Sequence, residues 1–531
     1  MSKQILFSDE ARRKLQKGVD ILTNAVKVTL GPKGRVVAFK KGISIFSIDG
    51  VTVANQVELK DPVEAMGCDL VKDIANKTDK EAGDGTTTAT ILAQYILKEG
   101  LKAMAAGVDV IELKEGLIMG LGIAVDTIKK LAKPLTKDKD VESVGTIASR
   151  DSKIGRTIAD IIKKIGKDAI IAVEESHTIG LQQEIVKGLQ FEKGFISPYM
   201  MTHPERREAV IEKPYILVTS QSISTNDEII GVLDEVYKAD NKALLIIADD
   251  VSGEALPTVV INKMRGKLKI AAVKAPGYGD DKQNKLQDIS ILTGAKLITE
   301  EVGIKVEDVG LVELGQADKV IISKDKTTII GGKGQKKAIN KRIKELTLAM
   351  KKEESDYQKE LLKKRIAKLK GGIAIIKVGT ISEQENKEKR YRIEDAVRAT
   401  MSAIEEGIVP GAGMTLIQAS KAIEKRMLLE KNMSTRLGLG ILYNAIREPA
   451  KQIILNAGGK PDVVLEKIET SKSDGYNSAV GEYVNLLKAG IIDSAKVVRV
   501  ALENAVSVIS LFLITEVVIV DLPEEEKKDG K

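Results

Sequence analysis

Ala82-Gly83-Asp84-Gly85-Thr86-Thr87-Thr88-Ala89-Thr90 is the stretch from which the fold and chemistry of this chain can be read, because a helical apolar pattern begins directly after it. Its glycines let the backbone approach a ligand closely, and the helix start offers unpaired N–H groups with a partial positive charge. These are the parts of a phosphate cradle, in which the acid Asp84 makes sense if Mg²⁺ lies between it and the phosphates. The same residues also fit an ordinary Asp/Thr helix cap after a glycine turn, so both interpretations stay open here.

Two further glycine loops and two aspartates are candidates for the same site. Thr29-Leu30-Gly31-Pro32-Lys33-Gly34-Arg35 follows a helical pattern and either lines the ligand or only ends the helix. Gly407-Ile-Val-Pro-Gly-Ala412-Gly413 precedes another helical run and indicates only a close approach of backbone. By pattern alone, Asp49 is a turn former and Asp395 an acid near a helix start. The sequence contains no Walker A pattern, which argues against an ordinary P-loop NTPase.

Composition narrows the class of protein. At about 150 residues per domain, 531 residues predict three or four domains, and 43% apolar with 30% charged residues indicates a folded protein. Lys and Arg number 83 against 76 Asp and Glu, a small excess that does not predict nucleic-acid binding. One cysteine and two histidines exclude disulfide frameworks and histidine-rich metal sites within the chain. The absence of tryptophan and the 3% aromatic content argue against single-strand and RNA binding. No signal-peptide or membrane-spanning run is present, so we expect a cytoplasmic protein without membrane contact.

Helical patterns dominate both ends of the chain, and strands alternate with helices in the middle. The segments Tyr215–Val218 and Leu244–Ala248 have strand character, and Asp227–Lys238 between them is helical. The pattern becomes helical again from Arg392 to Phe512. An α/β segment inserted between two helical ends predicts nested domains joined by an in-and-out chain path. We expect the charged tail, residues 524–531, to be disordered.

Several motifs in register carry a family resemblance. They are Val28-Thr-Leu-Gly-Pro-Lys-Gly-Arg35, Asp84-Gly-Thr-Thr-Thr-Ala-Thr90, Lys274-Ala-Pro-Gly-Tyr-Gly-Asp280, Ile375-Ile-Lys-Val-Gly379 and Gly475-Tyr-Asn-Ser-Ala479. Together they resemble the signature segments of the group I chaperonins, the GroEL type. The similarity is collinear from about Lys3 to Pro523, which is nearly the whole chain.

The resemblance implies a multidomain α and α/β chaperonin fold. It assigns residues 1–132 and 406–523 to a mainly helical, ATP-binding equatorial domain and residues 133–187 and 374–405 to a small α/β intermediate hinge domain. Residues 188–373 then form an α/β apical domain that binds substrates and a co-chaperonin. The implied hinge positions are glycines at the domain junctions: Gly188, Gly371, Gly372 and Gly407.

The resemblance also implies a nucleotide site for ATP and Mg²⁺. Asp84 is the implied Mg²⁺ ligand, Asp395 the carboxylate that positions or activates the attacking water, and Asp49 an acid near the γ-phosphate. Phosphoryl transfer needs little more, since it depends mostly on positioning and charge stabilisation. The implied nucleotide contacts are Thr29, Leu30, Gly31, Pro32, Asp84, Gly85, Thr86, Thr87, Thr88, Ala412, Asn477, Ser478, Ala479 and Asp493.

A client-binding surface is implied in the apical domain. Its residues are Phe195, Tyr199, Met200, Ile230, Leu233, Leu256, Val260 and Ile261. By spacing, Ile230 and Leu233 share a helix face, as do Leu256 and Val260, and such ridges more often pack into a core. The resemblance favours an exposed groove instead, which would bind unfolded or partly folded client proteins and receive the mobile loop of a GroES-type lid.

Four positions depart from the family pattern. Ile48 stands where the family usually has a nucleotide-contacting Lys, and Ala412 replaces the middle Gly of a three-Gly loop. Lys451 and Lys460 occupy positions where the family commonly pairs Arg with Glu between rings, so we expect a weakened ring-ring interface. The resemblance therefore implies an ATPase that encloses clients in a sevenfold ring, single or double. The alternative is a hydrolysis-deficient scaffold or moonlighting binding protein of the same fold.

Overall fold

The computed structural model describes residues 3–521 apart from 42, 168, 177, 205 and 471–474. The predicted disordered tail lies outside the described residues. The chain divides into two compact units, each assembled from separate segments. The first unit comprises Met1–Asp160, Glu175–Leu181 and Val378–Lys531, and the second comprises Ile161–Glu174 and Gln182–Lys377. The finer division into three domains stays a prediction.

Helices make up most of the first unit and flank the sheets of the second. Within the described residues they are α1 Ser8–Val26, α2 Gly50–Ala54, α3 Pro62–Ala82, α4 Thr86–Ala105, α5 Val110–Leu131, α6 Asp138–Ser149, α7 Ser152–Ile165, α8 Asn226–Lys238, α9 Ala255–Met264, α10 Gly279–Thr293, α11 Lys336–Lys352, α12 Asp356–Gly371, α13 Glu383–Glu406, α14 Met414–Leu429, α15 Met433–Ala445, α16 Glu448–Asn456, α17 Pro461–Thr470, α18 Leu486–Ala489 and α19 Ala495–Leu513. The predicted mixture of helical and α/β segments is confirmed.

Strands are short and form several small sheets. They are β1 Lys3–Phe7, β2 Val37–Lys41, β3 Ile43–Ser47, β4 Ile170–Glu175, β5 Gly180–Val186, β6 Gly188–Phe191, β7 Ala209–Glu212, β8 Tyr215–Val218, β9 Ala243–Ala248, β10 Lys269–Lys274, β11 Gly315–Gln316, β12 Lys319–Ile322, β13 Thr327–Ile330, β14 Ile373–Gly379, β15 Ile408–Pro410, β16 Gly475–Asn477, β17 Glu482–Val484, β18 Ile492–Ser494 and β19 Val517–Asp521.

The first unit is a helical body around one apolar core. In α1, Leu15, Val19 and Leu22 recur at helical spacing and are almost fully buried. The side chain of Asp61 accepts hydrogen bonds from the first turn of α3, which fixes where that helix begins. Strand β1 pairs antiparallel with β19, so the two chain ends meet in one sheet. Strand β15 pairs antiparallel with β18, so α14 and α19, which follow these strands, leave from opposite ends of the two-stranded ribbon.

The second unit is built on two four-stranded sheets. One has the order β10-β9-β8-β11 and the other the order β6-β13-β12-β7. Strands β8, β9 and β10 are parallel, and all six residues of β9 are buried, as expected for a parallel strand covered on both faces. Residues of β4, β14 and β5 in this unit form a further three-stranded sheet. No helix in the described part of the chain is both long and apolar enough to span a bilayer.

Candidate functional site

A cavity of about 660 Å³ opens in the first unit and gathers most of the predicted nucleotide residues. That volume is in the range of small-molecule sites. The predicted residues that line it are Leu30, Gly31, Pro32, Asp84, Gly85, Thr88, Ala412, Asn477, Ser478, Ala479 and Asp493. Thr29, Thr86 and Thr87 are instead buried beside the lining residues. The cavity thus brings together residues up to 463 positions apart in the sequence, from Leu30 to Asp493.

The start of α4 forms one wall of the cavity and carries no side-chain cap. Its N-cap residue is Gly85 at φ 85°, so the N–H groups of the first helical turn have no side chain to bind. Gly83 adopts φ 76°, and a Cβ placed there would lie 2.1 Å from the Cβ of Arg398. Both positions therefore require glycine. The alternative of an ordinary Asp/Thr cap is wrong, because the N-cap of α4 is Gly85 with no side-chain cap bond. Within the described residues, Asp84 accepts a hydrogen bond from the N–H of Gly85 at 2.6 Å and from no N–H inside the helix.

The loop after α1 is held in place by two side chains from distant segments. Asn456 donates through Nδ2 to the carbonyls of Lys27 and Leu30, both at 2.9 Å. Arg150 donates through Nη2 to the carbonyl of Thr29, also at 2.9 Å. These bonds fix the loop against the cavity, so it does more than end the helix.

The cavity is also lined by the loop before α14 and by residues around β16. Ala412 has φ 54°, a left-handed conformation that is strained for alanine. At Gly413, a Cβ would lie 2.8 Å from the backbone nitrogen of Ala450, so α14 begins in close contact with α16. The hydroxyl oxygen of Ser478 is buried and has no hydrogen-bond partner in the described structure, although Ser478 lines the cavity. An unpaired buried hydroxyl at this place fits a polar ligand.

Asp49 and Asp395 lie near the cavity but outside its lining. Both carboxylate oxygens of Asp49 cap α2, accepting from the backbone of Val51 and Thr52 at 3.3 and 2.8 Å. The adjacent Gly50 packs closely on the start of α4, since a Cβ there would lie 2.4 Å from Oγ1 of Thr87. Asp49, expected by pattern to be a turn former, is the N-cap of α2, and this position places the acid beside the cradle.

Asp395 is held by an arginine one helical turn further along α13. Arg398 donates through Nη2 to Oδ1 of Asp395 at 2.6 Å, and the same nitrogen lies 3.2 Å from Oδ1 of Asp79. One guanidinium therefore joins α13 to α3 through two carboxylates. Sequence reasoning missed this pair, although the i,i+3 spacing of Asp395 and Arg398 on one helix was a usable signal.

The carboxylates around the cavity share raised pKa values. Burial raises the pKa of Asp395 well above its usual range, with a further increase from nearby Asp49, while Arg398 opposes both. Loss of hydration also raises the pKa of Asp84, although its side chain still faces the open cavity, and its bond to the N–H of Gly85 opposes the increase. Burial, with the charge of Asp84, raises the pKa of Asp493 to about 7. Several acids are thus crowded where additional positive charge would be stabilising.

The residues present fit a Mg²⁺-nucleotide. No cluster of three or more His, Cys, Asp or Glu side chains in the described residues could hold a metal ion unaided. Mg²⁺ typically takes one or two carboxylates together with substrate phosphates, which suits Asp84 beside an uncapped helix start.

The predicted client-binding residues divide into three groups in the second unit. Tyr199, Ile230 and Ile261 are exposed, with 66%, 44% and 45% of their surface accessible. Phe195, Leu256 and Val260 are partly buried against the core. Spacing alone could not separate these groups, because it does not say where the solvent boundary crosses a helix.

Met200 and Leu233 are buried, so the prediction that they line an exposed groove is wrong for these two residues. Met200 is 1% exposed, and its Sδ accepts a hydrogen bond from the backbone N–H of Ala272 at 3.2 Å. Leu233 is 5% exposed because it lies on the face of α8 that also buries Ile229 and Val236. For Leu233, the core interpretation of the spacing holds.

The glycines at the predicted hinges lie where a side chain would be strained or would clash. Gly372 and Gly407 have φ values of 69° and 87°, which glycine adopts freely. Gly188 is not in that region, but a Cβ there would lie 2.3 Å from Cδ1 of Ile373.

Lys451 forms an ion pair with Glu448 at 2.9 Å, so its charge is partly compensated within α16. Hinge motion and ring contacts stay predictions.

Comparison with known proteins gives two findings. Residues 22–523 match the sequence profile of the TCP-1/cpn60 chaperonin family. The fold is similar to that of the chaperonin gp146 from the bacteriophage EL 2 (Pseudomonas aeruginosa), whose crystal structure was determined in the presence of ATP-BeFx. That match has a TM-score of 0.70 at 19% sequence identity and covers 98% of this chain and 99% of that chain.

Proposed function

The chain belongs to the TCP-1/cpn60 chaperonin family, and on that basis we propose that it is an ATP-dependent chaperone that captures non-native proteins and encloses them in a ring cavity for folding. The resemblance to chaperonins expected from the motifs is confirmed, and the chaperone role follows from the family. ATP hydrolysis, enclosure, a ring of seven subunits, a GroES-type lid and a cytoplasmic location are parts of the proposal.

The observation that carries the proposal is the uncapped start of α4 beside Asp84 in the first-unit cavity. The N–H groups of Thr86, Thr87 and Thr88 would bind phosphate oxygens, since a helix start favours anions. Asp84 would hold Mg²⁺, which would neutralise phosphate charge as the terminal phosphoryl group is transferred. The unpaired hydroxyl of Ser478 would bind a polar group of the same ligand.

Asp395 would act on the attacking water. Because its pKa is raised, its carboxylate accepts a proton more readily than an ordinary aspartate would. Arg398 keeps that carboxylate oriented through the 2.6 Å hydrogen bond and opposes full protonation. Asp49 would lie near the γ-phosphate, with its carboxylate held in a fixed position by hydrogen bonds from the start of α2.

Client capture would take place on the second unit. Tyr199, Ile230 and Ile261 expose apolar surface, and exposed apolar patches are where unfolded chains bind. The partly buried neighbours Phe195, Leu256 and Val260 would extend this surface when a client displaces water. A GroES-type lid would use the same helices, α8 and α9.

The proposed function is tested by MgATP binding and phosphate release on three proteins. We expect the wild-type protein to bind and hydrolyse MgATP, and Asp84→Ala to lose most of both. Asp73→Ala is the matched control, because it removes an exposed carboxylate from α3 without touching the cavity. Absence of hydrolysis by the wild-type protein would favour the hydrolysis-deficient scaffold instead. Equal loss in both variants would contradict the role given to Asp84.

A further inference from the structure

The cavity of the first unit combines acidic residues with a single cation. Among the described residues that line it, Asp84 and Asp493 are acidic and Arg150 is the one basic side chain. A triphosphate brings several negative charges into this space, and the carboxylates there repel it. Mg²⁺ offsets part of that repulsion, but a cationic side chain is the group that protein sites use to bind the remaining phosphate oxygens.

The guanidinium of Arg150 has donors left over for a ligand. Its Nη2 donates to the carbonyl of Thr29, a backbone atom next to the cavity-lining Leu30. In the described part of the chain, Arg150 forms no ion pair within 4 Å, and its hydrogen bond goes to an uncharged backbone carbonyl. Burial and the like charge of Arg392 lower its pKa, while Asp84 opposes both, which places these three groups in one electrostatic neighbourhood.

The backbone at Arg150 is strained for the residue that occupies it. Arg150 ends α6 with φ 56° and ψ 26°, a left-handed conformation that glycine adopts without cost. The turn is fixed on both sides, since the hydroxyl of Ser149 donates to the carbonyl of Gly145 and accepts from the N–H of Asp151. Strained positions of this kind cluster where a side chain serves a ligand.

We propose that Arg150 binds the phosphate groups of the nucleotide in the first-unit cavity, with its guanidinium bridging the carbonyl of Thr29 and a phosphate oxygen. This inference rests on the proposed function, because it requires the cavity to take a nucleotide. The role belongs to this chain's own residue at the end of α6, which the motif analysis did not select. Arg150 thereby supplies the positive charge that the lining otherwise lacks.

The test compares Arg150→Gly, Arg150→Lys and the matched control Arg207→Gly. Arg207 also has a left-handed backbone, with φ 53°, but lies in the second unit, so its replacement relieves the same strain and removes the same charge elsewhere. Affinity is measured by calorimetry for MgATP and for adenosine, which has no phosphate, and thermal midpoints are recorded for each protein.

Arg150→Gly is expected to bind MgATP at least about tenfold more weakly while its affinity for adenosine does not fall. Its thermal midpoint should change little, because relief of the left-handed backbone strain offsets the lost hydrogen bond to the carbonyl of Thr29. Arg150→Lys should recover part of the loss, and Arg207→Gly should match the wild type. If Arg150→Gly binds MgATP like the wild type, the inference is overturned and the proposed function stands. If the wild-type protein binds no MgATP, both are overturned.

Discussion

The two units place their candidate functional groups in opposite environments. In the first unit, Asp84, Asp395 and Asp493 are crowded around a cavity, and their pKa values rise because hydration is lost and like charges meet. In the second unit, the candidates are apolar, and Tyr199 and Ile230 remain in water. Stable proteins normally pair their buried charges and cover their large apolar surfaces. The first unit departs from the first of these rules, and the second unit departs from the second. Such departures are expected at functional sites.

The sharpest way to break this comparison is to place a charge on each side of the solvent boundary of α8. Leu233→Asp buries a carboxylate in the second-unit core and should destabilise that unit by several kcal/mol. Ile230→Asp puts the same charge in water and should leave the thermal midpoint nearly unchanged while reducing capture of a denatured client. Thermal midpoints are measured by differential scanning calorimetry. If the two variants had comparable midpoints, Leu233 would have to lie on the exposed face of α8.

The next effect concerns catalysis in the first unit. Asp395→Ala should bind MgATP within about threefold of the wild type but hydrolyse it at least tenfold more slowly, a barrier increase of ~1.4 kcal/mol or more. Phosphate release under saturating MgATP measures the rate, and calorimetry measures the binding. Glu383→Ala removes an exposed carboxylate from the same helix and serves as the control. Turnover near that of the wild type in Asp395→Ala would exclude this residue from the water-activating step.

These two tests also mark what the sequence could and could not predict. The cradle was predictable because Gly83, Asp84 and Gly85 form a local signature. Its two glycines adopt positive φ values, a conformation that glycine adopts readily and other residues rarely do. The exposed face was not, since Ile230 and Leu233 lie only about 60° apart around their helix and the core boundary runs between them. That boundary depends on which elements pack against α8.

The two arginines show the same limit within the first unit. Arg398 lies one turn from Asp395, so helical spacing alone could have indicated their pairing. Arg150 reaches the carbonyl of Thr29 across 121 residues of sequence. No local pattern encodes that contact, and only the folded chain places the arginine in the cavity.

Burial of an acid in the first unit should also make the stability of the protein depend on pH. Asp493 titrates near 7 in the folded protein and lower when unfolded, so the folded state holds its proton more tightly and stability falls as pH rises from about 4 to 7. Asp493→Asn removes this loss. Without nucleotide, the variant should be more stable than the wild type by up to about 4 kcal/mol at pH 8, with the difference disappearing near pH 4. If thermal unfolding gave the same difference at both pH values, the pKa of Asp493 would not be raised in the folded protein.

The smallest expected effect is on stability and comes from the strained backbone of one residue, Ala412. Ala412 adopts φ 54° in the loop before α14, and Ala412→Gly should relieve that strain with a net stabilisation of about 0.5–1 kcal/mol. The matched control is an alanine in regular helix, Ala419→Gly in α14, which should destabilise by about as much or more. Chemical denaturation midpoints measure both. Destabilisation by Ala412→Gly would mean that its methyl group packs usefully in the loop.

The most direct test of the central claim joins the two units in one experiment. A fluorescently labelled, denatured client is mixed with the wild-type protein, and the bound fraction is measured before and after addition of MgATP. We expect the protein to capture the client without nucleotide and to release or enclose it once MgATP is added, seen as a change in the fluorescence anisotropy of the client. A protein that hydrolyses MgATP but never captures the client, or holds it unchanged when MgATP is present, would contradict the account.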